Sequence, residues 1–369
     1  MQLNTQLSNP QNTLSLHSSI SYHILYTSSQ HPYFSTMQAF QISQYNAKDI
    51  SVQSVDIPRP TLRPHEILIE VKAAGVNPLD NLITRGEVKL VTPYTLPLTM
   101  GNECSGVVVE VGEAVKNFTV GQKVFTRLPT KQIGAFAQYV AVPEDAVALM
   151  PNNLSFEEAA AIPLTALTAF QALELMQSQP GQSIFISGGS GGLGAMAIPL
   201  AKARGLVVYT NGNAQSKKRV LALGADRYLD YRTEDYLEHL PKVDFVLDSL
   251  GGKELERQMN LLKHGGKMVS LRGLPNRSFA QRFGLPLWKQ WLFGLAAWKT
   301  TQQASKVGAT YDFLFVESNG KQLAEIATLV EKLDIHPSVE HTFSFAQTNE
   351  ALHQVAQRGS TGKVIINFD

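Results

Sequence analysis

The chain is poor in cysteine, in net charge and in long apolar runs, and each shortage excludes something. One cysteine, Cys104, stands among 369 residues. It can close no internal disulfide and supply no four-cysteine zinc site; it reads as a small buried thiol in a reducing cytoplasm. The formal net charge is +1, which offers a nucleic acid no basic face. The most apolar segment, Leu285–Trp298, carries Lys289 and falls short of the ~20 residues a membrane-spanning helix needs. It reads as a covering helix or a subunit contact. An aromatic wall over a ligand and a membrane-surface contact are the sharper alternatives, and the covering reading is favoured over both because the segment lacks the flanking basic face. Residues 1–36 contain no Lys, Arg, Asp or Glu. They therefore fit neither a secretory signal nor a transit peptide, and read as a disordered extension ahead of a start at Met37.

A further absence is local. From Leu175 to Ala225 there is no Asp or Glu, while Lys202, Arg204, Lys217, Lys218 and Arg219 fall in the same stretch. Inside it, the apolar run from Ile184 enters a glycine cluster and leaves as an alanine-rich helical pattern. Gly189, Gly191 and Gly194 fit G-x-G-x-x-G, with Ser190, Gly192 and Leu193 between them. The first glycine permits a tight turn, the second lets backbone approach a pyrophosphate, and the third lets helix and strand pack. The helix start then offers free N–H groups and the positive end of a dipole to phosphate. An NAD site carries an acid at the end of the next strand, for the ribose 2′-hydroxyl. Here that strand ends Tyr209-Thr210-Asn211-Gly212-Asn213. A carboxylate would repel a 2′-phosphate and ammonium groups attract it, so the pattern favours NADPH. Lys217 and Lys218 have the alternative of a merely solvated helix start.

Strand and helix patterns alternate beyond the turn: strands at Leu206–Thr210, Tyr228–Tyr231, Val243–Leu247 and Lys267–Leu271, helices at Gln215–Leu223, Thr233–Leu240 and Lys253–Leu262. This is an α/β pattern for a doubly wound parallel sheet, with its ligand at the carboxyl ends of the strands. Residues 64–150 differ. Short alternating strands punctuated by glycine and proline suggest a compact antiparallel barrel. The terminal part, with helices at Lys321–Leu333 and Thr348–Gln357 and a strand at Lys363–Phe368, is expected to fold back onto it. The cleft between the two parts would hold the reacting groups.

Several motifs then follow one another in a known order. They are Gly75-Val76-Asn77-Pro78-Leu79-Asp80, Gly101-Asn102-Glu103, Gly106 to Gly112, Phe118 to Val124, Ile162 to Ala169, the glycine turn, Leu223-Gly224-Ala225-Asp226 and Gly362-Lys363-Val364. From residue 37 onward the chain resembles the zinc-independent quinone oxidoreductase branch of the medium-chain dehydrogenase/reductases. The resemblance implies a Rossmann fold, residues 163–309, that binds NADP(H). It implies a GroES-like antiparallel β-barrel catalytic domain from 37–162 and 310–369. It also implies a homodimer, and a quinone or the C=C bond of an α,β-unsaturated carbonyl as hydride acceptor. Zinc-dependent relatives place Cys and His where Asn77 and Asn102 stand, and Pro163 or Leu164 lies near the third ligand position. Carboxamides do not replace such ligands, and the histidines are scattered without ligand spacing. No metal is expected.

The same resemblance assigns roles. Asn77 would lie by the nicotinamide and the substrate carbonyl, or simply shape the loop before Pro78. Thr168 would bond the nicotinamide end, and Ser190, Gly191, Gly192 and Leu193 would hold the pyrophosphate. Tyr231 would lie by the 2′-phosphate. The family lysine there falls on Ser216, so Lys217 or Lys218 takes its part. Ser249 and Leu250 follow the fourth strand of the parallel sheet, and Arg272 and Gly273 follow the fifth, near the nicotinamide. The loop Gly86–Thr99 would form the substrate mouth. Its Tyr94 is a candidate proton donor, against an aromatic packing role and against solvent as the proton source. Asp80 and Glu103 read as loop anchors.

Two rivals remain at this level. Gly188-Gly189-Ser190-Gly191-Gly192 also satisfies G-x-S-x-G, with Asp248 and His264 following in the order of a serine hydrolase. The barrel-like upstream region and the acid-free basic stretch count against it. The other rival is a protein that binds NADPH without catalysis.

Overall fold

The computed structural model describes residues 36–357 and 361–369. The extension expected at residues 1–36 therefore lies, through residue 35, outside the described residues, while Thr36 and Met37 open the first strand. That strand, β1 (Thr36–Ile42), leads through β2 (Gln53–Pro58), β3 (Glu66–Val76), α1 (Pro78–Thr84), β4 (Leu98–Thr99), β5 (Glu103–Val111), β6 (Lys123–Arg127), β7 (Tyr139–Pro143) and β8 (Val147–Leu149). β2-β1-β4 form one small antiparallel sheet, and β3, β5, β6, β7 and β8 pair antiparallel in a larger one. Ile67, Ile69 and Val71 of β3 alternate into the core between these sheets, where Phe40 and Ile42 of β1 meet them. This is the antiparallel GroES-like part of the fold.

Two helices, α2 (Phe156–Ala160) and α3 (Pro163–Met176), carry the chain out of it. Pro163 opens α3 at a position where its missing N–H costs nothing. The chain then alternates: β9 (Ser183–Ile186), α4 (Gly192–Ala203), β10 (Val207–Gly212), α5 (Lys217–Ala222), β11 (Arg227–Asp230), α6 (Tyr236–His239), β12 (Val243–Asp248), α7 (Gly252–Met259), β13 (Leu262–Ser270), α8 (Arg277–Arg282), α9 (Leu287–Ala296), α10 (Trp298–Lys306) and β14 (Thr310–Phe313). The six strands are parallel in the order β11-β10-β9-β12-β13-β14. Renumbered within the sheet this is 3-2-1-4-5-6, the doubly wound order that puts a ligand crevice between the first and fourth strands. The central strand β9 carries the unbroken apolar run Ile184-Phe185-Ile186 because both its faces are covered. Ile184 and Ile186 enter the layer built on α3 and α4, and Phe185 the layer on the other side.

The last segment, α11 (Gly320–Lys332), β15 (Val339–Ser344), α12 (Thr348–Ala356) and β16 (Lys363–Asn367), returns to the antiparallel part. Val364 to Asn367 pair antiparallel with Val76 to Ala73 of β3. Two sequence expectations change here. Thr310–Phe313, placed on the barrel side of the 309/310 boundary, pairs parallel with Lys267–Ser270 as the sixth strand of the parallel sheet. A four-residue strand does not announce its partner; tertiary pairing decides it. Leu262, placed in a helix, begins β13, because α7 stops at Met259.

Candidate active site

The glycine turn is shaped by what cannot fit. A Cβ on Gly189 would stand 2.1 Å from Thr210 Oγ1, which itself donates to Ile186 O at 2.6 Å. A Cβ on Gly194 would stand 2.3 Å from Gly189 O, so β9 and α4 cross only because both residues lack side chains. Gly191 is different: the nearest atom to its would-be Cβ is 3.6 Å away. It caps α4 without any side-chain hydrogen bond, which leaves the N–H groups of the first turn with no intrahelical acceptor. Open space beside uncapped N–H groups is where an anionic diphosphate fits.

Gly191 and Ser249 line two cavities at once, joining them along the carboxyl ends of the strands. The outer cavity, about 710 Å³, is lined by Gly188, Ser190, Asn211, Gly212, Tyr231 and Leu250 among others. Asn211 Oδ1 accepts from Gly188 N–H at 3.0 Å, and no carboxylate stands at the end of β10. Acids do line its far wall. Arg257 pairs with Asp235 at 2.7 Å and with Glu254 at 3.1 Å, and Glu234 accepts from Asp230 N–H at 2.9 Å. Arg232 lines the same cavity and donates to the Tyr231 hydroxyl at 3.3 Å. Ser216 is buried, and Lys217 and Lys218 are exposed; none of the three lines this cavity. Arg219 is held back by backbone, its Nη2 donating to Ser190 O at 2.7 Å and Thr361 O at 3.0 Å.

The inner cavity, about 760 Å³, lies between the two sheets. Its wall includes Asn77, Thr168, Gly192, Leu193, Arg272 and Gly273, with Val76, Leu79, Val88, Val91, Phe313 and Phe315 making it largely apolar. Thr168 Oγ1 donates to Leu164 O at 2.6 Å. Gly189 and Gly194 face neither cavity; their role is the crossing. The first half of the Gly86–Thr99 loop supplies Glu87, Val88 and Val91 to the wall. Tyr94, in its second half, does not reach it. The Tyr94 ring packs on the barrel core, its hydroxyl has no hydrogen-bond partner among the described residues, and burial pushes the phenol far above its usual range. This corrects the proton-donor expectation: a phenol buried away from the cavity wall passes no proton to a ligand there.

The polar centre of the inner cavity was not foreseen. Lys363 enters from β16, nearly buried, and its ammonium donates to Asn77 Oδ1 at 2.6 Å and meets Glu103 Oε1 at 2.6 Å. Asn77 Nδ2 donates to the same Glu103 oxygen at 2.8 Å, and Glu103 Oε2 accepts from Leu164 N–H at 2.7 Å. The stem of Lys363 passes the helix start, its Cδ 3.6 Å from where a Gly192 Cβ would be. One residue thus links the phosphate-sized opening to the reactive end of the cleft. Behind it, Asp80 accepts from Asn77 N–H and from Asn102 Nδ2, each at 2.7 Å. Full burial pushes the Asp80 carboxyl up from 3.8 to about 7 against those hydrogen bonds. Lys363 was legible only as part of a terminal motif; its partner lies far away in sequence.

The donor set bears on a metal. Asn77 Oδ1 already faces an ammonium, and Asn102 turns its amide to Asp80. Among the described residues no group of three or more His, Cys, Asp or Glu is arranged to hold an ion. The hydrolase constellation does not assemble either. Asp248 spends its oxygens on Ser270 Oγ at 2.6 Å and on Gly251 N–H at 3.0 Å. His264 lies near the amino end of β13 against Gly308, at the opposite end of the parallel strands from Ser190.

Comparison with known proteins agrees with this arrangement. The chain matches the family described as zinc-binding dehydrogenase over residues 223–366, and the alcohol dehydrogenase GroES-like domain over residues 63–152. It is 32% identical to a mitochondrial NAD(P)H oxidoreductase of Danio rerio, over 90% of this chain and 91% of that one. It is 30% identical to a chloroplastic NADPH-dependent alkenal/one oxidoreductase of Arabidopsis thaliana, over 89% of this chain and 79% of that one. The solved quinone oxidoreductase of Coxiella burnetii superposes with a TM-score of 0.76 at 28% identity, over 91% of this chain and all of that one (100%).

Proposed function

The chain belongs to the medium-chain dehydrogenase/reductase superfamily, among its quinone-oxidoreductase-like members, and on that premise we propose a metal-free reductase. It uses NADPH to reduce a quinone or the C=C bond of an α,β-unsaturated carbonyl. The observation that carries this reading is the joined pair of cavities, acid-free at the end of β10, glycine-lined at the bend and largely apolar at the inner end.

The residues fit the coenzyme. The open side of Gly191 and the first-turn N–H groups of α4 receive a diphosphate. Asn211, Tyr231 and Arg232 surround the ribose end, where Arg232 is the wall cation whose guanidinium bonds no carboxylate among the described residues. Lys217 and Lys218 stay outside that wall and act at most at longer range. Thr168, Ser249, Arg272 and Gly273 border the nicotinamide end, and Leu250 the ribose side. When bound, NADPH supplies a hydride to an electrophilic acceptor.

The protein's part is to hold, dry and polarise. Glu103 and Asn77 fix the Lys363 ammonium through two of its three protons, and the third is free to meet negative charge growing on the acceptor oxygen. Asn77 acts chiefly by positioning, since its amide is committed to Glu103 at 2.8 Å. The apolar wall excludes water and strengthens that charge interaction. A catalytic zinc does not fit: the ligands it needs are replaced by carboxamides, and a dication would sit beside the lysine's own charge. An alcohol substrate then lacks a Lewis acid to activate it, which leaves acceptors that are electrophilic already. A homodimer in a reducing, cytoplasmic setting completes the reading, supported by the resemblance and by the buried thiol of Cys104.

Loss of NADPH absorbance with a panel of quinones, enones and enals tests it. Turnover that survives dialysis against chelator is expected. Turnover that needs added zinc, or faster turnover with NADH, overturns the reading. NADPH binding without turnover on any acceptor would make this a binding protein.

A further inference from the structure

We propose that the face of α9 docks this protein on an anionic lipid bilayer. The chain's three tryptophans all lie on one short segment, and all are exposed: Trp288 at 59%, Trp291 at 67% and Trp298 at 62%. Leu287 at 71% and Leu295 at 78% join them. Positions 287/288, 291/292, 295 and 298 follow the 3.6-residue period, so they form one stripe. The helix is mounted the wrong way round for a core element. Its inward face carries Lys289, Gln290, Phe293 and Gly294, and Phe293 is its one fully buried large side chain. The apolar stripe is turned outward, and an unpaired face of this kind marks a contact with something else.

Charge selects the occupant. Between Glu256 and Asp312 the chain has no acidic residue and nine Lys or Arg; Arg257, Lys263, Arg282 and Lys299 pair with carboxylates from outside the stretch, and Arg277, Lys289 and Lys306 are in no ion pair among the described residues. Two of them sit against the stripe itself: the Arg277 guanidinium lies 4.7 Å over the Trp291 ring and the Lys289 ammonium 5.5 Å over Trp288. Lys299 and Lys306 follow on α10. Lys299 is paired with Glu256 at 3.5 Å, but Arg277 and Lys289, the two cations against the rings, are in no ion pair among the described residues. Tryptophan and leucine with such cations beside them is the composition of an interfacial helix on anionic headgroups. A second copy is the poorer occupant, because a two-fold contact through this face would bring the same cations together. Apart from Lys289, the cations of the basic flank lie outside Leu285–Trp298, so the segment read alone does not show it.

The stripe borders the substrate side. Lys289 Nζ donates to Leu90 O at 2.6 Å, tying α9 to the loop that supplies Val88 and Val91 to the inner cavity. Phe279 and Phe293 pack with Val91 and Phe313 in one cluster. Docking would set the cavity mouth at the lipid surface, where apolar acceptors dissolve; this last step rests on the reductase reading, the docking does not.

The test uses the whole protein, vesicles of phosphatidylcholine with or without phosphatidylglycerol, and the double variant Trp288→Ser/Trp291→Ser. A blue shift of tryptophan emission and co-sedimentation are expected with the anionic vesicles. Both should weaken in high salt and fall at least about tenfold in apparent affinity in the double variant. Its thermal melt should match the parent, and so should its rate with a water-soluble quinone. The proposal is overturned if anionic vesicles leave emission and sedimentation unchanged. It is equally overturned if, without lipid, the parent forms a concentration-dependent dimer that the double variant abolishes.

Discussion

Replacing Lys363 by methionine isolates the buried charge at the centre of the cleft. Methionine keeps much of the stem's volume and removes the ammonium. Glu103 is fully buried, and its remaining donors are Asn77 Nδ2 at 2.8 Å and Leu164 N–H at 2.7 Å. Removing one partner of a buried pair leaves an uncompensated charge, at about 3–5 kcal/mol. Lys363→Met should therefore lower the unfolding free energy in urea by that amount at pH 7. The double variant Lys363→Met/Glu103→Gln removes both charges and should recover most of the loss, since a neutral pair in such a site is often no less stable. Activity should not recover. If the ammonium meets the acceptor oxygen, both variants should lose roughly 100-fold in kcat, the usual worth of one such donor. A loss below ~1 kcal/mol in the single variant would make this an ordinary surface-like pair and refute the energetic reasoning. A double variant with parental kcat would refute the chemical role while leaving the structural one.

Further outcomes follow from the same geometry. Gly194→Ala should abolish NADPH binding by calorimetry, because its Cβ meets Gly189 backbone at 2.3 Å and nothing there can yield. Asn211→Asp keeps the acceptor for Gly188 N–H and adds a negative charge at the end of β10, so the NADPH-over-NADH preference in Kd should fall by about tenfold, one like-charge contact at ~1.4 kcal/mol. Tyr94→Phe removes a buried hydroxyl that has no hydrogen-bond partner among the described residues, and should leave kcat/KM within about twofold and stability unchanged or raised. The Asp80 carboxyl is raised in the fold from 3.8 to about 7, so the folded state holds its proton longer than the unfolded chain. Stability from this group is therefore present below pH ~4 and lost as pH rises toward 7. The parent's advantage over Asp80→Asn in urea should shrink across that window; an advantage that grows with pH would contradict the assignment.

What could be read beforehand was what a residue's own chemistry forces. Gly189 and Gly194 were legible because a crossing of strand and helix tolerates no Cβ, whatever the rest of the chain does. The alternation from Ile184 to Leu271 was legible because parallel strands need apolar runs and crossovers. Other features depend on partners distant in the chain. Nothing around Lys363 announces Glu103 or Asn77, which β16 meets only after pairing with β3. Thr310–Phe313 could have joined either sheet. Composition gave the apolar segment Leu285–Trp298, but composition has no direction: it does not say whether the side chains face inward or outward. Tyr94 shared a loop with cavity-lining residues and still turned into the core, because a loop can divide its side chains between two surroundings.

The place of Lys363 also bears on biosynthesis. A growing polypeptide that has emerged only as far as α12 already contains Glu103 and the strands that enclose it, without the counter-ion that makes burying it tolerable. The antiparallel part should thus stay loosely closed on the ribosome until β16 has left the exit tunnel. Coenzyme binding and a dry reaction chamber would then arise together, once β16 has joined the sheet.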